Sequence, residues 1–154
     1  MAYNLNRMNT VLLIVGIIIS IFLFYFIYSI IKYRNVLKNI DSKEQSKHLI
    51  HLNDKNFSAI TSKGITIVDF WAAWCKPCIF LSPIINELAE NYVGRVKVAK
   101  FDVESNKRIP NKLIIRNIPT VIIFQNGREM ERIIGVKPYN TYKKIIDKYL
   151  KLKK

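Results

Sequence analysis

The stretch that decides the fold is Val68-Asp-Phe-Trp-Ala-Ala-Trp-Cys-Lys-Pro-Cys78. Its first four residues are the end of the run Ile65 to Trp71. This run is apolar and rich in β-branched and aromatic residues, as in a buried strand. A Cys-x-x-Cys follows directly, and apolar residues then recur at helical spacing as far as Ala89. The sequence therefore predicts a strand whose end delivers two cysteines to the first turn of a helix over about residues 75–92.

This position suits thiol chemistry. The free N–H groups and positive dipole at the start of a helix stabilise an anion, and the thiolate is the nucleophilic form of cysteine. Two intervening residues keep the second sulfur close enough to resolve a mixed disulfide. Pro77 fits the first turn, where its missing N–H is no loss. The charge of Lys76 favours the thiolate further, so we expect a more oxidising cysteine pair.

Three other roles for the cysteines are considered. A zinc site could combine them with His48 and His51, but these histidines fall three apart on a predicted strand, which points them to opposite faces. A purely structural disulfide would close a loop too short to stabilise the fold strongly. Inert buried thiols fit poorly beside Trp74, Lys76 and Pro77, which favour an exposed helix entry. We therefore predict no metal site.

The remaining pattern from residue 48 onwards alternates strands and helices. Asn126-Gly127 between two strand patterns is a strong hairpin signal. Early strand–helix–strand units imply parallel pairing, and the final hairpin implies an antiparallel edge. The sequence predicts an α/β fold, with a mixed central sheet and helices on both faces. The predicted strands are 48–52, 65–71, 96–102, 120–124 and 129–134, and the predicted helices are 54–62 (capped by Asn53), 75–92, 106–115 and 139–152.

An apolar run precedes this domain. Residues 10–31 carry no charge, and a helix of that length crosses a bilayer core of about 30 Å. A buried core helix is rarely so long without a charge, which argues against that alternative. A cleaved signal peptide fits poorly too, because the run is longer than a signal-peptide core and no small-residue cleavage site follows it. The expected organisation is an N-terminal tail (1–9), one transmembrane helix (10–31), a linker (32–47) and a globular domain (48–154).

The charges around the run bear on its orientation. Lys32, Arg34, Lys38 and Lys43 follow it, whereas Arg7 and the α-amino group precede it. The positive-inside rule therefore leans towards a cytoplasmic domain in a single-pass membrane protein. The difference is small, and export of the domain stays open.

The composition of the chain excludes several classes of protein and of binding site. The chain has 154 residues, with 25 Lys and Arg against 11 Asp and Glu, for a formal net charge of +14. Two cysteines exclude a multi-disulfide scaffold and, within one chain, a four-thiolate zinc or iron–sulfur site. The basic excess suits an anionic lipid surface. No groove-reading motif accompanies it, so we predict no nucleic-acid partner.

The domain resembles the thioredoxin family. The resemblance rests on Ile50-His-Leu-Asn-Asp54, the Val68–Cys78 stretch, Val98-Ala-Lys100, Ile118-Pro-Thr120 and Phe124-Gln-Asn-Gly127 through Gly135. It implies a thioredoxin fold, with Cys75 as the more exposed attacking thiolate and Cys78 as the buried resolving thiol. Asp69 would be the buried carboxylate that assists proton transfer, with Lys100 as its neighbour. Pro119 would follow a cis peptide bond facing the disulfide. Residues that would bind substrate are Trp74, Lys76, Pro77, Ile118, Pro119, Gly135 and Val136.

The resemblance also implies an activity. We expect a thiol–disulfide oxidoreductase that reduces protein disulfides at a membrane surface, without a cofactor of its own and as a monomer. Its electrons would come from an external donor such as a thioredoxin reductase or a membrane dithiol carrier. Lys76-Pro77 replaces the family's usual Gly-Pro, and Asn117 stands where Gly is frequent. Two alternatives stay open, an extracytoplasmic thiol oxidase or isomerase and a membrane-tethered binding module.

Overall fold

The computed structural model describes the backbone of residues 2–41 and 45–152 and the side chains of residues 12–32 and 45–152. The chain divides into two compact units, residues 1–39 and 40–154. Residues 42–44 of the predicted linker and the two C-terminal lysines lie outside the described residues.

Helix α1, Ala2–Asp41, forms the first unit and continues two residues beyond it. It is longer than the predicted span at both ends, because neither proline nor glycine interrupts residues 2–9 or 32–41. The segment Leu12–Lys32 is long and apolar enough to cross a membrane, and its side chains are exposed.

The second unit is a five-stranded mixed sheet in the order β1-β3-β2-β4-β5. Strands β1, β2 and β3 run parallel, while β4 is antiparallel to both β2 and β5. The predicted hairpin is present, with Asn126 and Gly127 in left-handed conformations between β4 and β5. The elements are β1 (Leu49–Leu52), α2 (Phe57–Thr61), β2 (Ile65–Trp71), α3 (Lys76–Asn91), β3 (Lys97–Asp102), α4 (Arg108–Lys112), β4 (Thr120–Gln125), β5 (Arg128–Ile134) and α5 (Tyr139–Lys151).

Each face of the sheet buries its own core, because side chains alternate along a strand. In β2, Ile65 and Ile67 face α3 and α5, where they pack with residues such as Leu81 and Tyr142. Val68 and Phe70 face α2 and α4, in a second core built around the rings of Phe57, Phe70, Phe101 and Phe124. Helices therefore cover both faces, as the sequence predicts.

The two short helices differ from their predicted bounds. Asn53 Oδ1 accepts the N–H groups of Lys55 and Asn56, as the predicted cap would, but residues 54–56 form a turn and α2 begins only at Phe57. The predicted helix over 106–115 is only α4. The Asp54 carboxylate accepts the N–H groups of Arg108 and Ile109 at its start, and Ile114, with φ 54°, lies beyond its end.

Candidate active site

The two cysteines lie where β2 leads into α3. Cys75 is the N-cap of the helix, and its Sγ accepts the backbone N–H of Cys78 at 3.3 Å. Pro77 occupies the first turn, where its missing N–H breaks no helical hydrogen bond. Cys75 and Cys78 form a disulfide in this structure. The sequence therefore places a redox-capable pair at the positive end of a 16-residue helix.

The expected difference in exposure between the cysteines is absent from this disulfide form. Cys75 is 3 % exposed and Cys78 is 2 % exposed. The bond to Cys78 holds the Cys75 sulfur against a small apolar cluster that includes Ala72, Trp71 and Ile118. The neighbouring Trp74, Lys76 and Pro77 are exposed, so the rim of the site is open although the sulfurs are covered.

The Ile118–Pro119 loop lies beside the disulfide. Its peptide bond is cis, as the resemblance implies. Ile118 packs on the cluster that contains both cysteines. The carbonyl of Pro119 accepts the N–H of Gly135 at 2.8 Å, which joins this loop to the end of β5. The structure therefore brings Ile118 to the disulfide and ties Gly135 to the Ile118–Pro119 loop, with the half-exposed Val136 next along the chain.

Asp69 and Lys100 form the buried polar part of the site. Asp69 is fully buried and Lys100 is 6 % exposed, and they are register partners on β2 and β3. Desolvation raises the pKa of Asp69 to about 7, and the charge of Lys100 opposes that rise. Within the described residues, neither carboxylate oxygen has a hydrogen-bond partner. A carboxyl group that titrates near neutral pH can both accept and return a proton.

Ser82 is a member of the site that sequence reasoning missed. The ammonium group of Lys100 donates to Ser82 Oγ at 2.9 Å and lies 4.5 Å from the centre of the Trp71 ring. Trp71 thus packs between the active-site loop and Lys100. The signal for Ser82 was its position four residues after Cys78, which places both on one face of α3.

The metal alternative finds no support in the geometry. His48 precedes β1 instead of lying on it, so the two-face argument from strand spacing was wrong for this residue. His48 Nε2 lies 3.9 Å from Glu90. Across the described part of the chain, no three side chains of His, Cys, Asp or Glu come together as a metal site would require.

Comparison with known proteins decides the family. The thioredoxin family model matches residues 48–148. The chain belongs to the thioredoxin family. It is 34% identical over 102 residues to a thioredoxin of Staphylococcus haemolyticus and 33% identical over 102 residues to one of Staphylococcus aureus. Each of these matches covers 66% of this chain and 98% of the relative.

A solved structure gives the same answer for the fold. A mutant thioredoxin from Halobacterium salinarum superimposes with a TM-score of 0.62 and 27% sequence identity. The match covers 71% of this chain and 96% of the other. The second unit therefore has the thioredoxin fold, and this thioredoxin is a thiol–disulfide oxidoreductase with a Cys75–Cys78 redox pair.

Proposed function

We propose that this thioredoxin reduces protein disulfides at a membrane surface, with residues 10–31 as a single-pass anchor, 32–47 as a linker and 48–154 as the catalytic domain. The observation that carries the chemistry is the disulfide at the start of α3, covered by the Ile118–Pro119 loop. The anchor is supported by the length and apolarity of Leu12–Lys32.

The proposed cycle begins with the reduced protein. The Cys75 thiolate attacks one sulfur of a substrate disulfide, and the other substrate sulfur leaves as a thiolate. Cys78 then attacks Cys75, which breaks the mixed disulfide, releases the second substrate thiol and leaves the Cys75–Cys78 disulfide. Two electrons pass to the substrate. An external dithiol or a reductase supplies two electrons and two protons to restart the cycle.

The positions of the surrounding residues support the roles that we propose for them. Asp69 takes the proton of Cys78 as that thiol attacks, because its pKa near neutrality suits a base that must also give the proton back. Lys100 limits the rise of that pKa. The backbone beside Pro119 pairs with an extended substrate segment by strand addition. Trp74, Ile118, Gly135 and Val136 form an apolar rim for that segment, beside Lys76 and Pro77.

Variants of the two cysteines test the cycle. In cells, Cys78→Ser should accumulate mixed disulfides with substrate proteins, because the trapped intermediate has no resolving thiol. Cys75→Ser should accumulate none and should abolish turnover. A binding module would keep its partners in both variants, and trapping by Cys75→Ser but not by Cys78→Ser would reverse the proposed roles.

Lys76 is the observation that favours the oxidase or isomerase alternative. A positive charge beside the first cysteine stabilises the reduced form of the pair and makes the disulfide more oxidising. The resting state in cells separates the two directions. A mostly reduced Cys75–Cys78 pair supports the reductase, whereas a mostly oxidised pair supports the oxidase.

A membrane-impermeant maleimide, applied to intact cells with and without a mild reductant, tests the membrane face. The excess of positive charges after the span supports a cytoplasmic domain, so labelling should appear only after lysis. Labelling of intact cells would instead place the domain outside. The Cys75→Ser/Cys78→Ser double variant is the blank, since the chain has two cysteines.

A further inference from the structure

Tyr142 is a buried polar residue to which the cycle above gives no role. It lies on α5 with its side chain fully buried in the core between the sheet, α3 and α5. Among the described side chains, its hydroxyl has no hydrogen-bond partner. An unpaired hydroxyl is unfavourable in such a core, where phenylalanine would fill nearly the same volume without the penalty.

The other unpaired atoms of this kind belong to Asp69. In the part of the chain whose side chains are described, the two Asp69 oxygens and the Tyr142 hydroxyl are the buried side-chain atoms that lack a partner. Asp69 alternates along β2 with Ile65 and Ile67, so it faces the same side of the sheet as Tyr142. The unpaired groups thus share one core, and each has what the other lacks: an O–H donor and an acceptor.

Electrostatics support the pairing. Desolvation raises the pKa of Tyr142, and the charge of Asp69 raises it further, so the two groups are within interaction range. The backbone N–H of Lys137 also faces the hydroxyl oxygen and opposes that rise, without meeting hydrogen-bond geometry. Because an N–H faces the oxygen, the hydroxyl proton is left for another acceptor.

We propose that Tyr142 is a positioning residue whose hydroxyl donates a hydrogen bond to a water that in turn donates to the ionised Asp69 carboxylate. The inference deepens the proposed function, because Asp69 is the proposed base for Cys78. The charge of Lys100 from β3, whose ammonium group donates to Ser82 of α3, also acts on Asp69. Its neighbour on β4, Val121, is apolar. Tyr142 keeps part of the Asp69 population ionised, and therefore able to accept a proton, at neutral pH.

Infrared titration of the carboxyl stretch in the full-length disulfide form tests the inference. Neither cysteine titrates in this form, and Asp54, Asp102 and Asp147 have lowered pKa values. A carboxyl band that titrates near pH 7 in wild type and is lost in Asp69→Asn is assigned to Asp69.

The decisive comparison is between two isosteric variants on one helix. Tyr142→Phe should raise the pKa of Asp69 by about one unit, a tenfold change in its ionisation constant, because the charged form loses a donor. Tyr149→Phe is the control, since its hydroxyl bonds the Met130 carbonyl and Glu131 instead. An Asp69 pKa that is the same in wild type and Tyr142→Phe would overturn the inference and leave Tyr142 as a core filler.

A second measurement needs no substitution at Tyr142. In wild-type protein with ring-labelled tyrosine, one phenol C–O band should shift in step with Asp69 ionisation, and this shift should vanish in Asp69→Asn. If no tyrosine C–O band shifted as Asp69 ionises, the inference would be contradicted even if Tyr142→Phe failed to fold. Both titrations are independent of turnover, so loss of the proposed reductase activity and loss of the Tyr142–Asp69 coupling are separate results.

Discussion

Asp69 and Lys100 lie opposite each other on adjacent parallel strands, yet the ammonium group of Lys100 donates to Ser82. Within the described residues, the Asp69 oxygens accept no hydrogen bond. The strand register therefore brings the two charges together without a hydrogen-bonded ion pair between them. The carboxylate keeps most of its desolvation penalty, so its ionised form destabilises the fold and its pKa rises to about 7.

The first prediction concerns stability. The pKa of Asp69 rises from 3.8 to about 7 on folding, so the folded protein holds a proton that the unfolded chain loses between these values. Stability should fall as pH rises through that window. Asp69→Asn should be more stable than wild type by about 4 kcal/mol at pH 8, with little difference below pH 4. Denaturant unfolding of the disulfide form at both pH values measures this.

Asp54→Asn is the matched control for that experiment. Desolvation acts to raise the pKa of Asp54, but hydrogen bonds from the Ile109 and Arg108 backbone keep it below its ordinary value. Its contribution is present above the unfolded pKa and lost as pH falls, so the variant should lose stability at pH 8. An Asp69→Asn advantage of equal size at pH 4 and pH 8 would contradict the assigned ionisation.

The second prediction concerns Ile114, a β-branched residue with φ 54° and a side chain that is 63% exposed. The left-handed conformation is unfavourable for isoleucine, whereas asparagine tolerates it. Ile114→Asn should stabilise the domain by about 1 kcal/mol and raise Tm by about 4–8 °C. Ile134→Asn, at an exposed isoleucine on β5, should give no such gain. A Tm for Ile114→Asn at or below the wild-type value would rule out the strain argument.

The third prediction concerns Lys76. Lys76→Gln should make the Cys75–Cys78 disulfide harder to reduce, because the reduced form loses a nearby positive charge. Since Lys76 is exposed, the change should be roughly threefold in the equilibrium constant, or about 15 mV. Equilibration with dithiol buffers measures it, and added salt should shrink the difference. Lys63→Gln, at another exposed lysine, should change nothing; an equal shift there would argue for a general charge effect.

The fourth prediction concerns the exposed Trp74, beside Cys75. Trp74→Ala should lower kcat/KM for a protein disulfide by about tenfold, the effect of losing one large apolar contact at a binding surface. Reduction of a small-molecule disulfide should hardly change, because it needs no extended docking. Val93→Ala, at a half-exposed residue beyond the end of α3, is the control. Equal losses with both substrates would show that Trp74 shapes the cysteine pair instead.

The strands and the helices α3 and α5 were predictable because their signals are local. The apolar run of β2, the Asn126-Gly127 turn and the cysteine-led helix α3 are within a residue or two of their predicted positions. The bounds of the two short helices were not, and at α4 the reason is a distant contact. Asp54 caps α4 from 54 residues away along the chain, and no local pattern reveals such a partner.

The candidate site also contains residues that local sequence patterns predict and residues that they do not. The Cys-x-x-Cys and its place at a helix start could be derived from spacing, whereas Asp69, Lys100 and Pro119 needed the family resemblance. Ser82 and Tyr142 were missed because their importance depends on which buried atoms lack partners, and that becomes visible only when β2, β3, α3 and α5 are packed together.

The two outer strands of the sheet have a consequence for self-association. The edge strand β1 is only four residues long. The other edge strand, β5, carries four charged side chains, those of Arg128, Glu129, Glu131 and Arg132. It also pairs with β4 across an irregularity in register at Ile123/Phe124. Short, charged or irregular edges are poor templates for a strand from another molecule. Many copies can therefore be crowded together without their sheets joining into aggregates.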